Sequence, residues 1–194
     1  MKNVGRKIYH AFGGIILLGV YIIAGRRLAF VLFAILLAGI LLFDFARMRI
    51  PAFGLWAQAK LSSLLRPGEE GKISGSPSYV LGIALALYFF DLPVASAAVL
   101  FLAFGDVAAS IVGESWGRTK FLGKSLEGTA AFVGAGMLAG MAAGAIGYSP
   151  SLPVLAAGAV VAAAAEALTP KSLNDNLTIP LLSGLAMTFV GGVF

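Results

Sequence analysis

The chain has 194 residues, 59% hydrophobic and only 12% charged, with a mean hydropathy of +0.94. A soluble domain carries about 25% charged residues, so most of this length belongs in lipid. With no cysteine and a single histidine, His10, the composition excludes disulfides, thiol nucleophiles, thiolate metal sites and a His-rich metal cluster; the net charge of +5 reads as membrane orientation and contact with anionic headgroups, not as nucleic-acid binding.

No cleavable leader is expected ahead of the first apolar run, and the chain is read as one integral membrane domain, 1–194. Hydropathy predicts seven spans, at residues 8–24, 28–46, 77–90, 93–112, 128–148, 152–168 and 177–194. Several are short of the roughly 20 residues that cross a bilayer, so tilt or local thinning is expected. The fold class is therefore an all-α polytopic helix bundle. Seven spans put the N-terminus and the second, fourth and sixth loops on one face. Twelve of the 14 basic residues fall there, and only Arg26 and Arg27 lie opposite, which predicts a cytoplasmic N-terminus. Eight of the nine acids follow the same side, Asp91 being the exception. Positive-inside sorting does not require that, whereas chemistry on the cytoplasmic face would.

The long polar connection, 47–75, carries Phe53, Trp56, Ala57, Leu61 and Leu64 at helical spacing, which suggests a helix lying in the membrane interface. At its end, in "RPGEEGKISGSPSYVLG", Ser76 before Pro77 marks the next helix start. In the fourth span, Asp106 sits in "FLAFGDVAASIVG" with no basic residue within ten positions. An intramembrane carboxylate is costly and points to function, although a structural bridge to Lys124 or Arg118 would also account for it. Asp106, Ser110 and Gly113 share one helix face. Two small-residue stripes, Gly105/Ala109/Gly113 and Gly136/Gly140/Gly144, predict close helix packing and offer a route to oligomers.

The turn "GESWGRTKFLGKSLEG" holds Gly113, Gly117, Arg118, Lys120, Lys124, Ser125, Glu127 and Gly128. Capping explains Ser125 and Glu127. It does not explain a lysine just before the cap, which the positive helix end repels unless an anion lies between. Glycines, a lysine and a helix N-terminus together describe a phosphate site, without the Walker spacing. In "EALTPKSLNDNLTIPLLSG", Asn174, Asp175 and Asn176 exceed what one helix cap needs. Basic residues and N–H groups suit phosphates, while Asp and Asn oxygens suit Mg²⁺.

"GDVAASIVGESWGRTKFLGKSLEGTAAF" followed by "EALTPKSLNDNLTIPLLSG" resembles the polyprenol and diacylglycerol kinase family, which includes dolichol, phytol and farnesol kinases and CTP-dependent diacylglycerol kinases. "GRKIYHAFGG" is similar to the family's Arg-Lys-x-x-His start. The resemblance implies phosphoryl transfer from a nucleoside triphosphate, CTP in many members, to the hydroxyl of a membrane lipid alcohol. Dolichol kinases carry additional N-terminal spans, so dolichol itself is not implied. By this resemblance Asp106 is a Mg²⁺ ligand or the base, and Lys124 and Arg118 contact the triphosphate. Ser125 supports them, Glu127 and Asn176 complete the metal or nucleotide shell, and Asp175 and Glu166 stand behind. Arg6, His10, Arg66, Glu70, Ser76 and Asn174 are supporting candidates. The implied setting is a prokaryotic cytoplasmic membrane with the site on its cytoplasmic side. Two other classes fit part of the pattern: a cytidylyltransferase making a CDP-lipid, and a transporter with an intramembrane acid. Against transport, the polar residues crowd one face and the halves show no inverted repeat.

Overall fold

The computed structural model describes residues 4–61, 71–121, 124–169 and 173–192. The first two expected spans form one bent helix, α1 (Val4–Arg49), broken at Gly25 with φ 75° and ψ 162°. That backbone conformation is essentially reserved for glycine. Straight, 46 residues would run about 69 Å, about twice the hydrocarbon thickness. The bend instead turns the helix back on itself. Tyr21 meets Phe30 edge to face at 6.0 Å, and Arg6 and Asp44, from opposite ends of α1, line one cavity. At the bend, Arg26 donates to Tyr88 O at 3.2 Å and lies 5.1 Å over its ring. The bend and the end of the next span therefore share one end of the bundle, as the alternation of loops requires.

A helix forms in the polar connection, α2 (Pro51–Leu61), with Leu55 and Trp56 exposed and Ala57 buried. Phe53 stacks on Trp56 at 5.4 Å and meets Phe43 of α1 at the same distance. Leu64 lies outside the described residues. Then follow α3 (Ser76–Phe89) and α4 (Leu92–Leu100), which passes through a π-helical turn, Phe101–Gly105, into α5 (Asp106–Trp116). The remaining helices are α6 (Leu126–Gly144), α7 (Leu152–Leu168) and α8 (Asp175–Gly191). Proline in the first turn of α3, α4 and α7 fixes φ where no helical donor is needed. The bundle is all-α but for one antiparallel two-residue ladder, β1 (Lys120–Phe121) with β2 (Lys124–Ser125), where a plain turn was expected.

The glycine stripes pack helices closely, as expected, but in two ways. A Cβ at Gly105 would fall 2.8 Å from the Phe132 ring, one at Gly136 2.8 Å from Phe101, and one at Gly140 2.6 Å from Leu155. Large side chains, not neighbouring backbones, fill these notches inside the chain. Lipid tails are as apolar as leucine, so such knob-and-notch packing is what holds helices together in a bilayer. Backbone does approach backbone at Gly128, whose Cβ would sit 2.9 Å from Ala109 O and 3.3 Å from Gly113 Cα. That crossing of α5 and α6 builds the site.

Candidate active site

The π-helical turn positions the intramembrane acid. The Asp106 N–H reaches back to Phe101 O, five residues away, so an extra residue enters the turn and rotates α5 relative to α4. Such turns mark functional sites in many helices. Asp106, Ala109, Ser110, Gly113 and Glu114 then form one stripe of α5, and that stripe is one wall of a polar cavity of about 390 Å³.

The start of α6 is the facing wall. Ser125 caps the helix, its Oγ accepting from Gly128 N at 3.1 Å. Three glycines close around it: a Cβ would meet Ser125 Oγ at 3.2 Å from Gly113, 2.7 Å from Gly117 and 3.0 Å from Gly128. The motif's glycines thus admit Ser125 between two helices, and Gly113 and Gly128 also line the cavity. Lys124 does not pair with Asp106. Its Nζ donates to the carboxylate of Glu166, a residue of α7 that is only 4% exposed. Desolvation alone would lower the Lys124 pKa; the Glu166 hydrogen bond and the charges of Glu166, Asp106 and Asp175 outweigh it and hold the ammonium above the usual lysine value.

The three consecutive polar residues at the start of α8 divide their work. Asn174 Oδ1 accepts from Asn176 N at 3.1 Å, as a cap. Asp175 lines the polar cavity. Asn176 is buried and donates through Nδ2 to Gly75 O at 3.1 Å; it faces a neighbouring cavity instead. Pro180 has no N–H to offer the Asn176 carbonyl, and Gly82 of α3 backs directly onto that oxygen. Gly82 and Pro180 therefore explain each other. Gly82→Ala would drive a methyl into the Asn176 carbonyl, and overpacking of this kind costs about 1–3 kcal/mol. A lowered Tm and reduced turnover are expected; a variant melting like the parent would refute the contact.

The first arm of α1 closes the site. Arg6 lines the polar cavity, and His10 Nδ1 lies 3.9 Å from Asp106 Oδ2. Lys7, almost fully buried, donates to Glu114 at 2.9 Å and ties this arm to α5. Tyr79 of α3 donates to His10 O, so α3 also fixes the arm.

Several candidates are not brought to the cavity. The Glu127 carboxylate accepts from Thr119 N at 3.0 Å and braces the turn. Arg118 is exposed and Gly117 is off the wall, whereas Lys120 is on it. Ser76, the first residue of α3, lines the neighbouring cavity. Arg66 and Glu70 lie outside the described residues. One group was missed. Asp44, 1% exposed, accepts from Arg47 at 2.9 Å and from both Ser74 N and Ser74 Oγ at 2.8 Å. Its signal was weaker than that of Asp106: it is an acid at the end of an apolar run, with Arg47 three residues on to account for it.

Among the described residues no three His, Cys, Asp or Glu side chains converge as a ready-made metal site. Asp106 and Asp175, both lining this cavity, do suit Mg²⁺, which takes one or two carboxylates and completes its shell with phosphate oxygens and water.

The chain is 30% identical to a CTP-dependent diacylglycerol kinase of Saccharomyces cerevisiae, over 97% of this chain and 73% of that one. It belongs to the polyprenol and diacylglycerol kinase family. Within that family it is 28% identical to a farnesol kinase of Arabidopsis thaliana, over 93% of this chain and 63% of the relative. It is 34% identical to a phytol kinase of Synechocystis, over 57% and 52% respectively. No family model and no solved structure matches the chain.

Proposed function

We propose that the protein is a membrane-embedded kinase that transfers the γ-phosphate of CTP to the hydroxyl of a lipid alcohol. The observation that carries this reading is the polar cavity itself: Arg6, Lys120 and Lys124 supply positive charge around the capped N-terminus of α6, facing Asp106 and Asp175. A triphosphate needs the first set, and its metal and the attacking hydroxyl need the second. Asp106 and Asp175 would hold Mg²⁺, which when bound neutralises phosphate charge.

The chain's own residues position and neutralise. Lys124, kept protonated by Glu166, faces the transferred phosphoryl group, and Arg6 covers it from the α1 arm. In the reaction the alcohol oxygen bonds to the γ-phosphorus as the β–γ bridging P–O bond breaks. CDP departs, and the hydroxyl proton passes to the Asp106–His10 pair. Positioning and charge neutralisation supply most of the rate in such transfers, with no covalent nucleophile. The charge pattern supports a cytoplasmic site; labelling of a Lys60→Cys variant by an impermeant maleimide on intact cells would reverse that orientation.

The test is turnover by the purified protein with each of the four nucleoside triphosphates against diacylglycerol, farnesol and phytol. CTP is expected to support the highest turnover. Equal turnover with ATP would remove the donor assignment, and no phosphorylated lipid in any pairing would remove the kinase.

A further inference from the structure

Beside the polar cavity lies a second one, of about 460 Å³, within the size range of small-molecule sites, about 300–1,000 Å³. Its long wall is a stripe of the second arm of α1: Ile35, Leu36, Gly39, Ile40 and Phe43. Arg6, His10, Ser74 and Asn176 stand at its polar end. Arg6 borders both cavities, and His10 of this one is the neighbour of Asp106 in the other. Ile35 and Leu36, in the middle of a predicted span, are 63% and 42% exposed, so the apolar end opens toward lipid.

The chemistry of the two ends identifies the occupant. Asn176 is 1% exposed, its Nδ2 is committed to Gly75 O, and among the described residues its Oδ1 meets no donor. A buried acceptor left unpaired is costly. Away from the polar end, where Asp44 also sits, the stripe from Ile35 to Phe43 offers aliphatic and aromatic surface. What satisfies both is an O–H group at the end of an apolar chain. We infer that this chamber binds the hydrocarbon chain of the lipid alcohol, with Gly39 setting the room available to it; Asn176 Oδ1 accepts from the hydroxyl as the alcohol binds, and His10, the neighbour of Asp106, stands at the same polar end to take that proton during transfer. The inference rests on the kinase reading for the identity of the alcohol, but not for the existence of the chamber.

Gly39 is the gap in the stripe: Ile35 and Phe43 flank it one turn away on either side, and a Cβ at Gly39 meets nothing within 4 Å. Gly39→Phe points a ring into the chamber from a position where the Cβ itself meets nothing, and it removes no backbone conformation that only glycine adopts. The expected result is a fall of about tenfold in kcat/KM for geranylgeraniol relative to geraniol, the loss when about two methylenes leave an apolar wall. The same comparison is made between long-chain and dioctanoyl sn-1,2-diacylglycerol. A tenfold fall for either series supports the chamber and identifies its source, isoprenoid or glyceride. An unchanged ratio in both overturns it.

A second readout needs no turnover. A diazirine-tailed farnesol analogue, photolysed on the parent protein in nanodiscs, is expected to label residues 35–43. Labelling elsewhere overturns the chamber even if the kinase is active. Labelling at 35–43 in a protein that phosphorylates no alcohol would keep the chamber and sink the kinase.

Discussion

Asp106→Asn is expected to lower turnover by about 10²-fold or more, the range seen when one preorganised electrostatic contact is deleted. The substitution keeps the shape and removes the charge. The side chain is 22% exposed and lines the polar cavity, so an amide there keeps water as a partner and the fold should survive. A purely structural acid would behave the other way, with an early-melting protein whose remaining folded fraction works normally. Kinetics separate the two catalytic roles. If Asp106 only receives the hydroxyl proton, KM for CTP stays near the parent value; if it also holds Mg²⁺, KM for CTP rises as kcat falls.

The second large effect falls on Lys124 and Glu166. Lys124→Met leaves the Glu166 carboxylate, 4% exposed, without its cation. Removing one partner of a buried pair costs about 3–5 kcal/mol, and the lower end applies because Lys124 is 41% exposed. Replacing both, as Lys124→Met with Glu166→Leu, should recover most of that stability. It should not recover turnover, since the ammonium facing the phosphates is gone. A stable and active double variant would reduce the pair to a structural bridge. Lys124 also fixes a pH response. The folded-state pKa of Lys124 is raised, so its contribution to stability is complete below the ordinary lysine value of about 10.4 and is lost as pH rises through the higher folded value. Between pH 6 and 9 the parent's melting temperature should owe none of its variation to Lys124.

The seven apolar segments, the break near Gly25 and the gathering of acids at one end were all readable, because hydropathy and charge sorting are local properties of the chain. Asp106, Lys124, Ser125 and Asp175 were readable for a related reason, as polar residues in apolar or helix-starting positions where the bland account leaves something over. Partners were not. That Lys124 pairs with Glu166 and not Asp106 depends on how α7 sits against the hairpin, 42 residues away. The fate of Glu127 was hidden similarly: one helix position decides whether a carboxylate faces phosphate or the Thr119 N–H. Asn176 read as part of a nucleotide shell because it follows Asp175. In a helix, adjacent residues point about 100° apart, and the two therefore face different cavities. The glycine stripes gave the right places, with close backbone approach at Ala109 and Gly113 but large side chains at Gly105, Gly136 and Gly140, because spacing reveals a notch without telling what fills it.

The central claim is phosphoryl transfer, and the two ends of the triphosphate distinguish it from nucleotidyl transfer in the same cavity. The purified protein is incubated with diacylglycerol or farnesol and CTP labelled at either the γ- or the α-phosphate, and the lipid phase is counted. Label from the γ-phosphate should appear in a lipid monophosphate, with CDP released in equal amount and no α-label in lipid. Label from the α-phosphate in the lipid, with pyrophosphate released, would contradict the account.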